Sequence, residues 1–131
     1  MTDTLTLTRP DDWHLHFRDG AMLEETVPAT ARVFRRAIVM PNLTPPVTTV
    51  ALAEAYRERI LAAIPAGVDF EPLMVLYLTD ETPVEEIERA AQSPVVRAFK
   101  LYPAGATTNS DSGVTNPARI HHLYEALEKH D

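Results

Sequence analysis

Asp11-Asp12-Trp13-His14-Leu15-His16-Phe17-Arg18-Asp19-Gly20, or DDWHLHFRDG, is the stretch on which the reading of this chain turns. In an extended strand, side chains at i, i+2 and i+4 share a face. His14, His16 and Arg18 then project together, and Trp13, Leu15 and Phe17 project to the other side. Two neutral imidazoles at this spacing suit a cation such as zinc. A guanidinium beside that cation repels it unless an anion lies between them. The pattern points to a metal next to an acidic substrate, although a half-exposed strand with two unrelated histidines would show the same spacing.

The 131 residues suffice for one domain with a hydrophobic core. The net charge of −7 and the lack of a basic run argue against nucleic acid as a partner. With no cysteine, disulfides, thiolate catalysis and cysteine-ligated zinc are excluded. The opening MTDTLTLT lacks the charged and apolar blocks of a signal peptide. No apolar run approaches a membrane span, so a cytoplasmic location with no membrane contact is expected.

Along the chain, Leu5 and Leu7 alternate with threonines and suggest a short leading strand. Residues 21–36 carry Leu23, Val27, Ala31 and Phe34 at helical spacing, and Pro28 suggests that the main helix starts there. Residues 37–40 (AIVM) read as a buried strand that stops at Pro41-Asn42. A helix is expected over 48–64, capped by Thr48 or Thr49, and a third strand over 70–78. Thr82-Pro83-Val84-Glu85 resembles a capping box that opens a helix to about residue 91. Residues 95–101 read as a fourth strand. A polar loop and a last helix follow, with Ile120, Leu123, Tyr124 and Leu127 on one stripe. This α/β pattern of four strand–helix units fits either a small doubly wound sheet or half of an eight-fold barrel. In both, ligands gather at the carboxyl ends of the strands.

Lys100, in an apolar strand, is the second informative position. Desolvation disfavours its charged form, and a neutral amine can add carbon dioxide to become a carbamate able to bridge two metal ions. It could equally snorkel into solvent. Asn42 could donate its amide to a substrate carboxylate or be a turn residue between prolines. Thr107 and Thr108 could offer hydroxyls from a mobile lid or lie in a solvated loop. Asp80 reads as a turn or cap residue, and His121, His122 and His130 as surface or helix-end residues.

Taken in order, DDWHLHFRDG, AIVMPNLTPPVTTV and AFKLYPAGATTNSDSGVTN resemble the amino-terminal part of the single-function bacterial dihydroorotases, within the amidohydrolase superfamily. The likeness runs from about Arg9 to the end. It implies the first four βα units of a (β/α)8 TIM-type barrel, with residues 1–131 forming the amino-terminal half of one catalytic domain. The implied reaction interconverts N-carbamoyl-L-aspartate and L-dihydroorotate in pyrimidine biosynthesis. In the complete enzyme, His14 and His16 would ligate one of two zinc ions, and carboxylated Lys100 would bridge to the second. The implied substrate-binding residues are His16, Arg18, Asn42, Thr107 and Thr108.

Two further histidine ligands and an aspartate general base belong to later strands, so no catalytic base is expected within this chain. The chain alone is expected to be an inactive fragment or a truncated product. The resemblance also suggests a homodimer. A related cyclic amidase of the dihydropyrimidinase or allantoinase kind shares His-x-His and the lysine, but Arg18 with Asn42 suits a substrate bearing a free carboxylate. A non-catalytic half-barrel acting as an interaction module is the remaining alternative.

Overall fold

The computed structural model describes residues 3–130. Its elements are β1 (Asp11–Leu15), a 3-10 turn (Gly20–Met22), α1 (Leu23–Val33), β2 (Arg36–Val39), α2 (Val50–Ala62), β3 (Glu71–Leu78), α3 (Val84–Gln92), β4 (Val96–Leu101), a second 3-10 turn (Pro117–Ile120) and α4 (His121–Glu128). The four strands form one sheet in the order β1-β2-β3-β4, with every neighbouring pair parallel. A doubly wound sheet reverses its strand order at a switch point, whereas a barrel adds each strand beside the last. The sequential order therefore selects the first four βα units of a (β/α)8 barrel. No helix among the described residues is long and apolar enough to cross a membrane.

Burial explains which elements form. Every residue of β3 after Glu71 is buried, as expected for a strand flanked on both sides by others. Phe17, Leu23, Val27 and Ala31 pack with Ala37 and Val39 of β2, Tyr56 and Ile60 of α2, and Met74 and Leu76 of β3. A second cluster joins Leu78, Ile87, Val114, Ile120 and Leu123. Thr49 caps α2 through its hydroxyl, which accepts from the Leu52 amide at 3.3 Å. The buried Glu86 supports the same helix end, accepting from the Val50 amide at 2.6 Å and from Arg89.

Three local expectations are corrected. Leu5 and Leu7 form no strand and lie 80% and 74% exposed, because no neighbouring strand pairs with them. Helix α1 begins at Leu23 and runs through Pro28. A helix-interior proline costs roughly 3 kcal/mol, but Leu23, Val27 and Ala31 bury one continuous stripe, and Glu24, whose carbonyl loses its partner, is exposed to water. The Thr82 capping box does not form. The Thr82 hydroxyl accepts from the Thr79 amide at 2.9 Å, closing the turn after β3, and Pro83 takes the N-cap position without a side-chain bond.

Candidate active site

The sheet ends just before the second histidine. Leu15 pairs with Val39, and its carbonyl accepts from the Met40 amide at 2.8 Å. His16, Phe17 and Arg18 then leave the ladder at its carboxyl end. Phe17 enters the core with no exposed surface, while His16 and Arg18 stay half-buried. The expected apolar face is only partly realised: Trp13 is 63% exposed beneath the Arg36 guanidinium, 6.0 Å away, at the outer edge of the sheet.

The Nε2 atoms of His14 and His16 stand 3.1 Å apart. Two ligands held near 2.05 Å on a tetrahedral ion would be separated by about 3.3 Å. The imidazole pair is therefore spaced to share one cation. Burial, and then the neighbouring Arg18 charge, hold the His16 pKa below its ordinary value of 6.5. A neutral imidazole is the form that ligates a metal.

Arg18 adopts the left-handed backbone at φ 67°, uncommon for a residue with a side chain. Its charge is felt at His16, at Tyr102 and at Tyr56 of α2. Asn42, 2% exposed, follows β2 and donates from Nδ2 to the Thr108 carbonyl at 2.9 Å. Lys100 lies half-buried on β4 in register with Tyr77, with Nζ 5.8 Å from the Tyr102 ring centre, and its charge also reaches His16.

Four buried polar atoms around this rim lack a well-formed hydrogen bond: His16 Nδ1, Arg18 Nη1, Asn42 Oδ1 and the Tyr102 hydroxyl, with the Asn42 side chain near enough to His16 to act on its charge. Buried polar atoms are normally satisfied, so this cluster has the chemistry of a ligand site. No carboxylate pairs with Arg18 or Lys100 among the described residues, and the rim is cationic in a chain of net charge −7. An anion fits it.

The loop after β4 folds across the strand ends. Asn109 donates to the Asn42 carbonyl at 3.1 Å, and the Tyr77 hydroxyl donates to the Asn109 carbonyl at 3.3 Å. Thr107 and Thr108 are exposed at its tip. Asp80 anchors the far side, accepting from the Thr115 amide and hydroxyl at 3.1 and 2.5 Å. His121, His122 and His130 are exposed on or after α4, and none of them forms a metal-binding group with His14 and His16. Sequence reasoning missed Tyr77, Tyr102 and Asn109. Tyr102, two residues beyond Lys100, shares the lysine's side of the strand direction, and that offset was the available signal.

The amidohydrolase family description matches residues 11–131. This chain belongs to the amidohydrolase family. Among amidohydrolases, it is 79% identical to a dihydroorotase from Alcanivorax borkumensis over all of this chain and 38% of that one. A solved dihydroorotase from Campylobacter jejuni superposes with a TM-score of 0.82 at 39% identity, over 93% of this chain and 36% of that one. A Saccharomyces cerevisiae dihydroorotase solved with 5-fluoroorotic acid gives 0.83 at 34% identity, over 92% and 33%. The chain thus spans little more than a third of the relatives it matches.

Family and relatives suggest a metal cofactor. The convergent imidazoles fit. Among the described residues, no third His, Cys, Asp or Glu joins them.

Proposed function

We propose that this chain supplies the amino-terminal four βα units of a dihydroorotase, an enzyme interconverting N-carbamoyl-L-aspartate and L-dihydroorotate. The observation that carries this reading is the imidazole pair 3.1 Å apart beside a cationic rim whose buried polar atoms lack partners. His14 and His16 would hold one zinc ion. Lys100, by adding carbon dioxide to its neutral amine and losing a proton, would become a carboxylate able to bridge to a second. Bound there, zinc supplies Lewis-acid polarisation of the ring amide and an acidified water.

The chain's own residues orient the substrate. Arg18 offers a charge-assisted, fork-shaped donor to the free carboxylate, and Asn42 adds an amide from the next strand end. Fixing the carboxylate orients the ring toward the histidines, which turns attack on the amide into a positioned event. Thr107 and Thr108, on the loop tied to Asn42, would cover the bound ring and limit water. The base that moves the proton to the leaving nitrogen would come from outside these residues. A cytoplasmic location and a homodimeric assembly complete the proposal.

The test joins residues 1–131 to the remaining part of the Alcanivorax enzyme. Zinc-dependent turnover of dihydroorotate, lost with His14→Ala and Lys100→Ala, is expected, as is no turnover by residues 1–131 alone. A folded, zinc-loaded chimera that hydrolyses uncharged dihydrouracil but ignores dihydroorotate would overturn the reading.

A further inference from the structure

Arg18 occupies a left-handed backbone region that is unfavourable for a residue with a side chain, so neighbouring groups must hold it there. Three do. Before it, Phe17 is locked in the core with no exposed surface. At Arg18 itself, the carbonyl accepts from the Tyr56 hydroxyl at 2.5 Å, and Tyr56 is 1% exposed on α2. After it, Asp19 is gripped by both arms of Arg59, with Nε to Oδ1 at 2.9 Å and Nη2 to Oδ2 at 2.7 Å. The Asp19 carboxylate also accepts from the Gly20 amide at 2.8 Å, which fixes the turn that follows. Arg59 in turn lies over the Tyr56 ring at 5.4 Å and donates to the Ala55 carbonyl at 2.9 Å. The supports at and after Arg18 are therefore one unit, built on a single stretch of α2.

We propose that Tyr56 and the Arg59–Asp19 pair are positioning residues that hold the Arg18 backbone left-handed and so aim its guanidinium at the rim for a substrate carboxylate. Neither Tyr56 nor Arg59 belongs to the set of rim residues assigned above. Their effect passes through the main chain of residues 18–20. Without these supports the main chain of residues 18–20 would be free to leave the left-handed region, and the long Arg18 side chain would lose its fixed starting point. The unpartnered Arg18 Nη1 shows what the restraint achieves: a buried donor kept available instead of satisfied by a protein acceptor. A cleft of about 330 Å³ opens where Arg18, Asp19, Arg59 and Asn109 meet the residues 43–47 loop, so α2 also forms one wall beside the proposed clamp.

This inference rests on the dihydroorotase reading for its kinetic arm only. In the chimera, Tyr56→Phe keeps the ring and its packing but removes the donor. Loss of one hydrogen bond of about 0.5–1.5 kcal/mol corresponds to a rise of roughly two- to tenfold in KM for dihydroorotate, with kcat and zinc content retained. Arg59→Lys, which cannot form the two-armed contact, is expected to raise KM in the same direction. Tyr56→Phe with unchanged KM would overturn the proposal, as would equal losses in kcat and zinc content. A crystal structure of the Tyr56→Phe protein gives the second readout, independent of activity. There Arg18 is expected to leave the left-handed region; its retention at φ near the present value would refute the positioning role. Should the unaltered chimera fail to turn over dihydroorotate, the substrate reading falls, and this structural comparison alone decides the proposal.

Discussion

His16 and Arg18 stand two residues apart on the same rim, and each sets the conditions of the other. Burial is the larger cause of the lowered His16 pKa, and the Arg18 charge is the next. Arg18→Gln is therefore expected to raise the His16 pKa part of the way toward 6.5 and no further, because burial persists. Imidazole titration by NMR in the metal-free chimera checks this; an unchanged or fully restored value would contradict it. The sign for stability follows from proton counting. Below pH 6.5 the unfolded chain binds a proton that native His16 refuses, so stability present above that pH is lost as pH falls through the window. Arg18→Gln narrows the window, and denaturation midpoints between pH 7.5 and 5 should show a shallower slope.

At the scale of elements, the loop after β4 is held by backbone, with little slack. A β-carbon on Gly113 would meet the Tyr102 carbonyl at 2.3 Å and the Ser110 carbonyl at 2.9 Å. Both obstacles are main chain, so Gly113→Ala must displace the Tyr102–Val114 pairing, which includes a 2.8 Å bond. A cost of about 1–3 kcal/mol is expected, with release of Thr108 and Asn109 from Asn42. Limited proteolysis should then cut within 103–115 in the variant first. Equal cutting of both proteins at an unchanged melting temperature would refute it. The strands and most helices were legible beforehand because burial on both faces leaves continuous apolar runs such as residues 37–40, and burial on one face leaves a 3.6-residue period on Leu23, Val27 and Ala31. Strand alternation likewise pointed to His14, His16 and Arg18, and strand ends to Asn42 and Lys100. The left-handed turn at Arg18, the Tyr56 anchor and the Tyr77–Asn109 contact were not legible. Each joins residues more than thirty positions apart, or depends on a conformation that arginine does not advertise. Thr82 and Pro28 misled for a related reason: local signals were outweighed by a turn bond and by a buried stripe.

For the molecule as a whole, sequential strand order leaves two open edges. Among the described residues β1 has no neighbour beyond it, and neither has β4, whose exposed positions contrast with the buried run of β3 after Glu71. Beside β4 lies a groove of about 700 Å³ bordered by Ile87, Val96, Phe99, Tyr124 and Leu127. It is larger than the cleft at the rim, yet it sits on the helical side of the sheet, away from the histidines. Its size reflects an unpaired strand, with no bearing on the chemistry. Unpaired strand edges flanked by apolar surface recruit other chains. Residues 1–131 made alone are therefore expected to dimerise or aggregate as concentration rises. Joined to the rest of the Alcanivorax barrel, the same edges should be covered and that association suppressed. Light scattering across a dilution series separates the outcomes. A monodisperse monomer of residues 1–131 at high concentration would mean that these edges are protected within the segment itself, and the half-barrel interpretation of β1 and β4 would fail.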